Sequence, residues 1–162
     1  MKFSPRLRAL YDACEPGHPL ADLCCDHGYL GIHAYASKLF PEILFVDQAE
    51  HGMQILKQKF AQYADVDSRA TQVRFLTSDA GQIKVPLQGT VVIAGVGGVN
   101  MMKILSELEK RGMLQARSLI LAPHRHRHLY EVEYLFNFRK VSVTEITEKS
   151  IQRPIFVFKK IA

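Results

Sequence analysis

Tryptophan is absent from the 162 residues, and cysteine occurs only three times, at positions 14, 24 and 25. An odd count with two adjacent members excludes a disulfide framework, and with it the small scaffolds that such frameworks hold together. A reducing, cytoplasmic setting is the expectation. Long apolar runs are missing too. "TVVIAGVG" at 90–97 is typical of the longest, far short of the roughly 20 residues that cross a bilayer, so no membrane partner is expected. The N-terminal "MKFSPRLRALYDACEPG" carries basic residues without an apolar core of signal-peptide length. No C-x-x-C spacing occurs, so no metal is expected, although Cys24, Cys25, His27, His124, His126 and His128 are zinc-ligand types.

What is present is ordinary globular composition: 48% hydrophobic and 23% charged residues, enough to bury a core in one domain spanning 1–162. Residues 1–17 are expected to form a helical segment packed on that domain. The net charge of +5 favours a polyanionic partner such as RNA, and equally describes a soluble protein that is merely basic.

Strand-like and helix-like segments alternate. Strands are predicted at 20–25, 42–47, 73–79, 89–95 and 118–123, with helices at 29–40, 49–64, 100–112 and 127–138. In the second helix Met53, Ile55, Leu56, Phe60 and Tyr63 are read as one apolar face. Two further strands, 140–147 and 153–160, are joined by a connection too short for a helix and must pair antiparallel. Apolar strands alternating with helices predict an α/β fold, a mostly parallel sheet covered on both faces. With its antiparallel C-terminal hairpin this seven-stranded order resembles the Rossmann-like layout of class I methyltransferases, which bind S-adenosylmethionine.

In such sheets ligands bind beyond the carboxyl ends of the strands. The first strand runs into "ADLCCDHGYLG" (21–31), where the glycine positions of D-x-G-x-G-x-G fall on Cys24, Asp26 and Gly28. The second ends in Asp47-Gln48, an acid suited to a ribose diol and also to a helix N-terminus. The third ends in Ser78-Asp79, where the acid suits an adenine amino group or a plain turn. The fourth ends in "IAGVGG" (93–98), whose glycines let backbone lie against a flat ligand. The fifth ends in "APHRHRH" (122–128), where cations oppose the helix dipole expected to follow, so a functional reason is favoured over a solvated helix start.

Together these stretches resemble the bacterial tRNA (adenine-22-N1)-methyltransferase family, over its catalytic domain. "ADLCCDHGYLG" is similar to that family's "ADIGSDHAYLP", "IAGVGG" to "IAGMGG", "LILAPH" (119–124) to "LILQPN", and "FSPRLRAL" (3–10) to "LSKRLEAV". Family members carry a further C-terminal helical extension. The resemblance implies S-adenosylmethionine as cofactor and a tRNA adenine as methyl acceptor. It implies a donor site of Asp22, Cys24, His27, Gly28, Asp47, Gln48, Ser78, Asp79, Ala94, Gly95, Gly97 and Gly98. Asp26 and His124 become the catalytic candidates, and Arg125 and Arg127 the RNA contacts. The chain departs from the family at Cys24, a glycine there, and at Ala122-Pro123-His124, where the family reads Q-P-N. A methyltransferase for a small molecule or protein, and a non-catalytic donor- or RNA-binding relative, stay open as alternatives.

Overall fold

The computed structural model describes residues 3–64, 71–124 and 129–162. Seven strands form one sheet: β1 (Leu20–Leu23), β2 (Glu42–Asp47), β3 (Gln72–Thr77), β4 (Thr90–Ala94), β5 (Ser118–Ala122), β6 (Phe138–Glu148) and β7 (Ile151–Lys160). Their order is β3-β2-β1-β4-β5-β7-β6. All pairs from β3 to β5 are parallel, while β7 runs antiparallel to both β5 and β6. The predicted α/β architecture, with its antiparallel hairpin, is therefore the one observed.

Alternation along each strand divides the core into two layers. Leu23, Val46, Ile93 and Leu121 face one cluster, to which α4 (Gly98–Lys110), α5 (Val132–Leu135), the 80–87 segment and Phe138 and Phe158 of the hairpin also contribute. Leu20, Phe45, Val92 and Ile120 face the other cluster, covered by α1 (Pro5–Ala13), α2 (Tyr29–Ser37) and α3 (Glu50–Tyr63). Asp22, two residues beyond Leu20, points toward the α2 layer by the same alternation.

Two glycines bring α2 close to the sheet. Gly28 caps the helix with φ of 66°, a left-handed conformation that glycine adopts without strain. A Cβ on Gly31 would collide with the Phe45 ring, so only hydrogen lets α2 lie this near β2.

The structure corrects several boundaries. No helix spans 127–138. Among the described residues of that stretch a 3-10 turn (Leu129–Glu131) leads into the single turn of α5. Asn137 then turns the chain at φ of 57° and Phe138 opens β6, where it pairs with Lys160 and is fully buried. Pairing with β7 outweighs the helical spacing of the apolar residues. The first strand stops at Leu23 rather than 25, and the helix expected over 29–40 closes at Lys38, whose φ is 58°. On α3, Met53, Leu56 and Phe60 are buried, but Ile55, which falls outside their i, i+3, i+7 stripe, and Tyr63, which continues the stripe as the last residue of the helix, are about half exposed.

The β6–β7 hairpin is longer than its neighbour. β5 pairs only with Phe156–Lys159, so residues 151–155 overhang its carboxyl end with β6 as their one partner. Pro154 sits in this overhang, where its missing N–H removes no bond to β5.

Candidate functional site at the carboxyl ends of the strands

A cleft of about 1130 Å³ opens across the carboxyl ends of β1, β2, β3, β4 and β5 and is bordered by α1, α4 and the hairpin. Its floor is the loop after β1. Cys24 and Asp26 both adopt left-handed backbone, at φ of 57° and 49°. Aspartate tolerates this region; cysteine does so only under strain. Cys24 thus holds a backbone conformation that glycine adopts without strain, and its part-buried side chain packs against the α4-side cluster.

The loop is held by β2. Asp47 accepts from the Asp26 N–H through Oδ2 and from the Ala49 N–H through Oδ1, both at 2.9 Å. Cys25 donates to the Val46 carbonyl at 3.0 Å, and Gly28 to the Cys25 carbonyl at 2.8 Å. Farther along, Asp79 accepts from the Gly81 N–H at 2.8 Å and Ser78 donates from its hydroxyl to the Asp79 carbonyl at 3.0 Å. On the β4 side, Gly95 turns at φ of 77°, and His124 donates from its backbone to Val96 at 3.0 Å.

Asp22 is the least ordinary group in the cleft. Its side chain is only 5% exposed, the Gly31 N–H donates to its carboxyl, and Oδ2 has no partner. Burial, helped by the Asp47 charge, lifts its pKa from 3.8 to about 7, against the pull of that hydrogen bond. Arg6 is its counterpart. It donates to the Ala122 carbonyl at 2.7 Å, lies 3.7 Å from Glu148, and keeps a buried Nε without a partner. A buried acid and a buried cation in one cleft, each with one unpartnered polar atom, suit a ligand that carries both charges.

The surroundings of the three thiols hold them protonated. Burial raises Cys24 to about 11 and Cys14 to about 12, and raises Cys25 further, with nearby carboxylates adding to each. All three are therefore protonated at neutral pH in the free protein. No cluster of three metal-ligating side chains occurs among the described residues.

Of the residues singled out in the sequence, Asp22, Cys24, Asp26, His27, Asp47, Gln48, Ser78, Asp79, Ala94, Gly95 and His124 all line this cleft. Gly28, Gly97 and Gly98 do not; Gly28 instead packs under Leu56 and Phe45. Arg125 and Arg127 lie outside the described residues. Sequence reasoning missed Arg6, Lys103 and Glu148, which also line the cleft. They come from α1, α4 and the hairpin, and no local spacing marks them.

A doubly wound sheet with an antiparallel last pair, carrying an acid-lined cleft at its carboxyl edge, defines a Rossmann-like methyltransferase fold. The chain belongs to the methyltransferase-domain family, whose sequence model matches residues 3–149. A comparison with curated protein sequences gives no match. Among solved structures, the B. subtilis m1A22 tRNA methyltransferase superposes with a TM-score of 0.82 at 20% identity, over 98% of this chain and 67% of that one. The M. capricolum enzyme of the same type, solved with S-adenosylhomocysteine, gives 0.78 at 17% identity, over 97% and 68%. The magnesium protoporphyrin IX methyltransferase of Synechocystis, also with S-adenosylhomocysteine, gives 0.76 at 16%, over 96% and 82%. These likenesses concern the fold, and their acceptors range from tRNA to a porphyrin.

Proposed function

We propose that the protein is an S-adenosylmethionine-dependent methyltransferase whose acceptor is adenine N1 in tRNA. The observation that carries the donor half is the pair of orphaned buried atoms, Asp22 Oδ2 and Arg6 Nε, in one cleft. They match the ammonium and carboxylate of an amino-acid end, so the residues present fit this donor. When bound, S-adenosylmethionine supplies an electrophilic methyl group carried on a sulfonium.

Asp47 accepts from the ribose hydroxyls through the lone pairs left beside its two backbone bonds. The second oxygen of Asp79 accepts from the adenine amino group of the donor. Ala94 and Gly95 would offer backbone to that ring, and Gln48, Ser78 and His27 complete the lining. Asp26, exposed at the mouth of the cleft, accepts from the exocyclic amine of the acceptor base and stabilises the positive charge that grows on the purine. Adenine N1 has a lone pair in the neutral base, so no general base is required. The protein's contribution is position and field. An adenine in structured RNA has to leave its stack to enter.

The acceptor half rests on the family resemblance of the cleft-forming motifs and on the excess of basic residues. It is tested by incubating the protein with methyl-labelled donor and bulk tRNA, then digesting to nucleosides. Label in 1-methyladenosine is expected. Label in another nucleoside would overturn the adenine-N1 assignment, and label that enters only protein or small molecules would overturn the RNA acceptor.

A further inference from the structure

The carboxyl end of β5 is ringed by polar contacts that the chemistry above does not use. Arg6, bonded to the Ala122 carbonyl, lies 3.7 Å from Oε2 of Glu148. The same oxygen lies 3.6 Å from Nε of Arg153 on β7. A terminal nitrogen of Arg153 in turn lies 2.9 Å from Nδ1 of His124. Four side chains, from α1, both arms of the hairpin overhang and the β5 end, thus close a circuit between Ala122 and His124.

A guanidinium has donors only and keeps its proton. A ring nitrogen at hydrogen-bond distance from it must therefore accept, and an accepting Nδ1 carries no hydrogen. The proton of the neutral imidazole is then on Nε2. We infer that Arg153 is a positioning residue that holds His124 as the Nε2–H tautomer, so that the ring meets the acceptor as a hydrogen-bond donor only.

The consequence is a division of labour at the mouth of the cleft, resting for its acceptor on the methyl-transfer reading above. Asp26, a carboxylate, accepts; His124 only donates. The pair selects a base that offers an N–H on one side and an in-plane lone pair on the other, as an aminopurine does. An amide in place of His124 can rotate to do either and would enforce less. The clamp also makes the orientation of His124 depend on the hairpin, and through Glu148 on α1.

The tautomer is measurable without donor or RNA. In nitrogen-15-labelled protein, long-range proton–nitrogen correlations distinguish a pyridine-like from a pyrrole-like ring nitrogen, and His124→Gln identifies the signals. A pyridine-like Nδ1 and a pyrrole-like Nε2 are expected for His124. Arg153→Met should give a mixture of tautomers and lower kcat about tenfold, the scale of one misoriented hydrogen bond, with donor affinity unchanged. Arg153→Lys, which still donates, should keep the single tautomer. A pyrrole-like Nδ1 in the unsubstituted protein, or a ratio that Arg153→Met leaves unmoved, would overturn the inference. Neither result touches the donor site, whereas failure to bind donor would overturn the proposed function and leave the tautomer standing.

Discussion

At the scale of single residues, Asp22 costs stability in order to offer charge. Its folded pKa of about 7 lies above the ordinary 3.8, so the native state holds a proton that the unfolded chain has already lost. Stability contributed by this group is full below pH 4 and declines as pH rises toward 7. Asp22→Asn should therefore flatten that decline and raise stability at pH 8, by an amount bounded at roughly 4 kcal/mol. Urea unfolding at pH 5 and pH 8 checks this; an equal loss at both values would mean that the carboxylate is satisfied in the free protein. Cys24 is the other residue with a legible cost. Because its φ is 57°, Cys24→Gly should change stability by less than about 1 kcal/mol, strain relief offsetting lost packing and added chain entropy. Cys24→Val puts a β-branched side chain in the same conformation and should cost about 2 kcal/mol in the same assay.

At the scale of elements, α1 is more than a cover for the sheet. Arg6 spends one terminal nitrogen on the Ala122 carbonyl and the other beside Glu148, leaving Nε for the cleft. Lysine has no such fork. Arg6→Lys should therefore weaken donor binding about tenfold in calorimetry, nearly as much as Arg6→Leu, which also strands Glu148 and should cost a further 1–2 kcal/mol or so of stability. Full rescue by lysine would show that charge alone suffices. The elements also show what was readable beforehand. Alternation of apolar strands and helices, and the short link between the last two strands, marked all seven strands to within a few residues and put the cleft at the carboxyl edge. The helix expected over 127–138 failed because its apolar spacing is real but its partner is not local: Phe138 belongs to the pairing with Lys160, twenty-two residues on. Strand pairing of that range leaves no periodic trace.

For the molecule as a whole, the charge is sorted rather than spread. The chain carries a net charge of +5, yet the cleft is lined by Asp22, Asp26, Asp47, Asp79, Glu107 and Glu148 against Arg6 and Lys103. An acid-lined cleft suits a cationic donor, and most of the basic residues lie outside it. The acids after the strands were legible because each closes an apolar run. Arg6, Glu148 and Arg153 were not, since Arg6 lies more than a hundred residues from the other two and only the folded hairpin brings them to one edge.

The proposed donor site rests on Asp22 and Arg6 together receiving the amino-acid end of S-adenosylmethionine. Calorimetric titration of the protein with this donor at pH 6 and pH 8 tests it most directly. Because the ammonium needs the ionised carboxylate, affinity should rise with pH through about 7, where Asp22 titrates. Asp22→Asn should bind at least about tenfold more weakly and lose that dependence. Heat of binding that is absent at both pH values, or an affinity that Asp22→Asn leaves unchanged, would contradict it.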